Sequence, residues 1–304
     1  MHQGMQFGTA IVVGNHVYCR SNNIVYRYHP ATDTWVVLPD VPVTLFSITS
    51  LNGQLVAIGG LDEGSRITTK AKTIYACSGD STSWKWTALP GNPSLPSGVS
   101  RPGCGSYEHY LIVAGGYGSR LFSSSVAVFD TKQGSWYSAS PLPETGDIVG
   151  TVIIGEHLYL LLSQEGLVKP TKMILTASMQ TLATQAKSGK NEGSSIWKKL
   201  PDIPDYIITG IFSMGNNMLL AITVGDGPFQ RIPVMDMLPI ARADIHIFNP
   251  YIKQWMKVGE LPEVMIRCAC TMLPSGRLLV AGGSTGVKVG QKLVSSVYTA
   301  KIRR

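Results

Sequence analysis

Three histidines in this chain share one local setting: Asn15-His16, Glu108-His109 and Glu156-His157 each stand just before a short apolar run. Imidazoles converging on one point could ligate a metal. These three occupy equivalent turns of a repeated unit, however, and a turn preference explains them without a metal. Cys104, Cys268 and Cys270 raise a second possibility, a nucleophilic thiol. Such a thiol needs a base in reach and an electropositive setting. No histidine or aspartate neighbours them in sequence, so inward packing is the expected role. The third candidate is Gly282-Gly-Ser-Thr-Gly-Val-Lys-Val-Gly-Gln-Lys292. A phosphate loop ends in Gly-Lys-Ser/Thr and opens a helix whose N-terminus faces the anion. This segment has neither feature. The expectation is therefore no catalytic residue, no metal and no cofactor.

The elements behind these residues declare themselves through tryptophan. Trp35, Trp86, Trp136, Trp197 and Trp255 are each followed seven residues later by a proline: Pro42, Pro93, Pro143, Pro204 and Pro262. The successive spacings are 51, 50, 61 and 58 residues. A period of this length indicates units that cannot bury their apolar faces alone and must stack on one another. The copy around Trp136 is the clearest. Cys104-Gly-Ser-Tyr107 is a short strand, Glu108-His109 a turn, and Tyr110-Leu-Ile-Val-Ala-Gly-Gly116 a strand ending in two glycines. After a polar loop, Val126-Ala-Val-Phe-Asp130 is a third strand, and Trp136 opens the fourth. Short β-rich runs between turn residues predict an antiparallel meander of four strands. The closing proline lacks the donor needed to extend the pairing.

Diglycines recur at Gly59-Gly60, Gly115-Gly116 and Gly282-Gly283. Third strands recur at Ile24–Tyr28, Ile74-Tyr75, Ile245–Phe248 and Val297-Tyr298. Diglycine, aromatic strand, then tryptophan resembles the kelch repeat family. Cys19-Arg20, Leu161-Leu162 and Ala221-Ile222 are read as the replacements in the three copies without a diglycine. The resemblance implies a β-propeller, which agrees with the four-strand period. First strands occur six times, which predicts a single all-β domain, a six-bladed β-propeller of kelch type over 1–304. The blades fall near 7–42, 46–93, 102–143, 149–204, 208–262 and 267–302. Aligning Thr9 with Ser47 puts a sixth tryptophan upstream of Met1, so the expectation is either a fragment of a longer protein or a sixth blade of three strands with an exposed edge.

Composition narrows the class further. Apolar residues make up 44% and charged residues 15% of the chain, which suits a packed core rather than disorder. No run approaches the ~20 apolar residues of a membrane span. No secretory segment follows Met1, and the five cysteines have no paired spacing, so a reducing, cytoplasmic setting is expected. The net charge of +7 is scattered through loops instead of forming an aromatic-lined stripe, which argues against nucleic acid as the partner. Two stretches break the period. The segment 181–195 is polar and glycine-rich and predicts a mobile loop. The segment 224–242 mixes apolar and basic residues and is expected to fold over a face.

Some kelch-like propellers are enzymes. The tyrosine–cysteine pair and histidines of copper-radical oxidases are absent, as is the Glu-x3-Asp-x3-His triplet of nitrile-forming propellers. A six-bladed sugar mutarotase is a further relation, but no matching acid–base pair is evident. The expected function is non-catalytic: a scaffold or adaptor that binds a protein, with an acidic peptide or domain favoured, through its diglycine-side loops. The small-molecule enzyme is the alternative. The partner-binding candidates are Arg66 and Lys70 in blade two, Tyr117 and Arg120 in blade three, and Lys172 in blade four. Phe229, Arg231 and Arg242 are candidates in blade five, and Lys288 and Lys292 in blade six. Arginine and aromatics on a rigid rim provide anchors, whereas lysines mainly steer.

Overall fold

Alternation along each second strand determines the architecture. In Tyr110–Ala114, residues Leu111 and Val113 join one apolar cluster while Tyr110, Ile112 and Ala114 join another. Each sheet is therefore apolar on both faces and must be sandwiched between two neighbours. The computed structural model describes residues 9–21, 23–62, 70–79, 83–91, 93–164, 171–189, 196–203, 206–214, 218–225, 243–263, 265, 268–284 and 296–301. Among these are five four-stranded antiparallel sheets, one three-stranded sheet and a small two-stranded ribbon of Val43–Thr44 with Leu61–Asp62. The six large sheets are the blades of the expected propeller.

The innermost strands are Thr9–Val13, Ser47–Leu51, Gly103–Tyr107, Asp147–Ile154, Tyr206–Ser213 and Ala269–Met272. Six apolar clusters lie one at each blade interface. The ring closes where Val17, Cys19 and Tyr26 of blade one pack on Ala269, Leu279 and Ala281 of blade six. No strand crosses this seam among the described residues. Among the described residues blade six has three strands, the third being Val297–Lys301, and residues 1–8 and 302–304 lie outside them.

The repeat tryptophans tie successive blades together. Nε1 of Trp86 donates to the carbonyl of Pro39 (2.9 Å), that of Trp197 to Ser140 (3.1 Å), and that of Trp255 to Pro201 (2.9 Å). Each acceptor lies four residues after the tryptophan of the preceding blade. Within blades, Trp35, Trp136 and Trp255 stack on Tyr28, Phe129 and Phe248, their cross-strand partners. The diglycine has a different reason. Gly59 and Gly60 adopt φ of 68° and 115°, and a Cβ on Gly59 would stand 2.3 Å from the carbonyl oxygen of Val99. That carbonyl accepts from the Gly60 amide at 2.8 Å, so the turn is also a contact between blades.

Two expectations need correction. Residues 181–188 of the segment 181–195 are not a loop, because helix α1 covers Met179–Ser188, while residues 190–195 lie outside the described residues. Ser178 caps it by accepting from the Thr181 amide, and Gly189, at φ 66°, ends it. Met179, Leu182, Ala183 and Ala186 are spaced along one helical face and bury it between blades three and four. The other correction concerns blade one. Thr9 pairs with Arg20 as Ser47 pairs with Ile58, so Arg20 stands at the last position before the turn and Ser21 takes the first glycine's place; Gly150 with Leu161 and Gly210 with Ile222 shift blades four and five likewise, to Leu162-Ser163 and Thr223-Val224.

Candidate functional site

The diglycine end of the channel is where charge and aromatics gather. The connection into blade three supplies Ser100 and Arg101, and the blade-three loop supplies Tyr117 and Phe122. Backbone bridges pair Tyr117 with both Ser100 and Phe122, which fixes the loop as a rigid rim. Tyr117 and Phe122 meet edge to face at 5.5 Å. Lys70 Nζ lies 4.6 Å from the Tyr117 ring centroid and 3.1 Å from Ser100 Oγ. Partial burial, and then the charge of Arg101, lower the Lys70 pKa. The Tyr117 hydroxyl donates to the Arg120 carbonyl at 3.0 Å, and beside it Leu121 is 78% exposed.

Inside this rim lies an ionic group. Arg101 adopts φ 49°, in the left-handed region, and its amide donates at 2.8 Å to the carbonyl of Leu45, itself at φ 53°. Arg101 Nη1 stands 3.4 Å from Asp147 Oδ2. Arg20, 8% exposed, completes the group, with its guanidinium carbon 5.9 Å from the Phe46 ring centroid. Burial drives its pKa down to about 10, while Cys104, Arg101 and Asp147 act as weaker influences. These three residues wall a recess of about 120 Å³. Next to it the central channel, about 860 Å³, is lined by inner-strand residues and by Lys172 at the mouth.

Of the ten residues singled out from sequence, Lys70, Tyr117, Arg120 and Lys172 lie at this end. Arg66, Phe229, Arg231, Arg242, Lys288 and Lys292 lie outside the described residues, as do residues 226–242 of the second long segment. Arg20, Arg101, Asp147, Leu121 and Phe122 were missed. The legible signal for Arg101 was its place two residues ahead of an inner strand, where the chain enters the mouth. The histidines remain on separate blades: His16 packs on His29 and His109 on Tyr110, each at 4.0–4.9 Å between ring centroids. Cys104, Cys268 and Cys270 do line the channel, but burial pushes the Cys104 and Cys268 thiols up to about 12 and Cys270 well above its ordinary value.

Residues 99–143, which form blade three and its entry, match the family description "Kelch motif". The solved structure "Structure of YjhT" is similar over the whole propeller, with a TM-score of 0.71 at 17% identity, covering 100% of this chain and 96% of that one. No curated protein matches in sequence. With one blade matching the motif and six sheets repeating its register, the chain is a six-bladed β-propeller similar to the kelch-repeat propellers.

Proposed function

We propose that this propeller is a non-catalytic interaction scaffold or adaptor that docks a protein partner on its diglycine face and favours one with acidic side chains. The observation that carries the reading is the rim itself: Tyr117, Arg120 and Phe122 on a loop held by backbone bridges, Lys70 of blade two against the Tyr117 ring, and Leu121 exposed at the tip. Preordered aromatic and apolar groups flanked by cations are what a binding hot spot requires. Arg20, Arg101 and Lys172 inside the mouth add positive charge against Asp147 and would steer a carboxylate-bearing partner.

The alternative is a small-molecule enzyme, which would need a proton donor and acceptor converging in the channel. Among the described residues lining it, the ionisable ones are Arg101, Asp147, Lys172 and the three cysteines with raised pKa values, a set that favours docking. A reducing, cytoplasmic location belongs to the same proposal and is supported by five free, buried thiols. Among the described residues no helix is long and apolar enough to cross a membrane.

The test compares two surfaces. Full-length protein is used to capture binding proteins from cell extract, and the captured species are quantified for two variants. Lys70→Glu/Arg120→Glu/Leu121→Asp is expected to lose the specific captures. Lys198→Glu/Lys199→Glu, on an exposed outer strand, is expected to keep them. The reverse pattern would remove the docking face from the diglycine end.

A further inference from the structure

His16 resembles His109 and His157 in its sequence setting, but its companion in space is different. His16 opens the strand His16–Ser21, and His29 closes the strand Ile24–His29. Val17 pairs with Tyr28, so the two histidines stand opposite each other one step further along the same ladder. Their ring centroids lie 4.9 Å apart, and the planes are tilted by 59° instead of stacking face to face. The matching cross-strand places hold Tyr110 with Asp130 in blade three, His157 with Ser178 in blade four and Arg277 with Lys301 in blade six. The propeller therefore does not require two imidazoles there.

Two imidazoles on facing strands form a chelate when their nitrogens converge on one ion. With metal–nitrogen bonds of about 2.0–2.1 Å and nitrogens about 1.1 Å from their ring centres, two ligating rings sit roughly 4.5–5.2 Å apart between centroids. The observed 4.9 Å falls inside that interval. Both residues are half-buried, so an ion can reach them from solvent. Ligation also requires a neutral ring with one unprotonated nitrogen. Burial, and then the charges of Arg27 and His29, lower the His16 pKa, which keeps that ring neutral at neutral pH. His29 Nδ1 lies 2.9 Å from Thr32 Oγ1, and Thr32 Oγ1 lies 2.7 Å from Thr34 Oγ1. When Thr32 accepts from Nδ1–H and donates to Thr34, Nε2 of His29 keeps its lone pair. A bond of this kind is what orients a metal-binding histidine.

We propose that His16 and His29 form a surface site for a transition-metal dication of the zinc, nickel or copper kind. Nε2 of His29 and one ring nitrogen of His16 hold the ion, and water fills its remaining positions. Imidazole suits these ions, whereas magnesium and calcium prefer oxygen ligands. The Asp33 carboxylate accepts from the Tyr28 hydroxyl at 2.9 Å and is not counted as a ligand. Two protein ligands make an exchangeable site, in contrast to the four of a structural zinc. The site lies on the face opposite the diglycine loops and does not depend on the docking reading.

The experiment titrates the full chain with zinc, and separately with magnesium, while the imidazole nitrogen resonances are followed. Zinc is expected to bind saturably and to shift the His16 and His29 resonances together, and magnesium to do neither. His16→Gln and His29→Gln should each weaken zinc binding by about tenfold or more. His157→Gln, which removes an unpaired counterpart, and His2→Gln should leave it unchanged. Zinc should also raise the unfolding midpoint of the parent and not that of the His16→Gln/His29→Gln protein. Circular dichroism establishes that each variant is folded.

Zinc that binds the double variant as tightly as the parent is held elsewhere, and zinc lost only in His2→Gln belongs to the amino terminus. Either result overturns the site. An absence of saturable zinc binding, or an equal response to magnesium, overturns it as well.

Discussion

A tryptophan at a fixed place in each repeat does two jobs, and the structure separates them. Trp35, Trp136 and Trp255 stack on a ring of their own sheet, whereas the indole nitrogens of Trp86, Trp197 and Trp255 reach the preceding blade. Trp197 donates to the Ser140 carbonyl, whereas the buried Nε1 of Trp136 has no acceptor among the described residues. Phenylalanine at either position keeps much of the ring and removes the N–H. Trp197→Phe is therefore expected to cost about 1 kcal/mol more than Trp136→Phe, because only the first breaks a buried bond. Denaturant midpoints of the two variants decide it, and equal costs would mean the interblade bond contributes nothing net. The spacing of these residues was legible in the sequence; the acceptors were not. They lie 47 to 57 residues away, and only the assembled ring brings them close. Arg20 and Arg101 escaped notice for the same reason, since their meaning depends on strand register and on a backbone angle.

At the scale of elements, α1 is the part that hydropathy hid. Its apolar residues follow the spacing i, i+3, i+4 and i+7, and Gly189 is an ordinary stop signal. The polar Lys-Ser-Gly-Lys-Asn-Glu-Gly stretch that overlaps and follows it outweighed that pattern. The helix is clamped to blade three by Lys187, whose Nζ lies 2.7 Å from Asp130 Oδ2 and 5.4 Å from the Tyr110 ring centroid. Burial works against the Asp130 carboxylate's charge, but bonds from Lys187 and the Gln133 and Lys132 amides outweigh it and hold its pKa below the ordinary value of 3.8. A depressed carboxylate pKa stabilises the fold above that ordinary value, and the contribution disappears as pH falls through the folded-state pKa. Lys187→Met is thus expected to be less stable than the parent at neutral pH, with a gap that narrows below about pH 4. His109 Nε2 also stands 3.9 Å from Asp130 Oδ1, so the comparison is made in a His109→Gln background. Urea unfolding of both proteins from pH 7 to pH 3 measures the gap, and one that stays constant would show that the ion pair does not hold the helix.

The whole molecule is six similar contacts arranged in a circle, five between sequence neighbours and one between blades six and one. Among the described residues that last contact has no strand crossing it, and the sheet on one side of it has three strands. Opening is therefore expected to start there. In native-state hydrogen exchange, amides of Thr9–Val13 and Ala269–Met272 should lose protection before those of Gly103–Tyr107 and Tyr110–Ala114. Uniform protection around the ring would refute this. The seam's own contacts do not act alone, though. Five intact contacts hold blades one and six face to face, so closure is an intramolecular event at high effective concentration. A modest apolar patch is then sufficient, and a lesion in the seam alone leaves the two faces poised to meet again. A second lesion anywhere else in the circle removes that poise, and the cost of the pair should exceed the sum of the two parts.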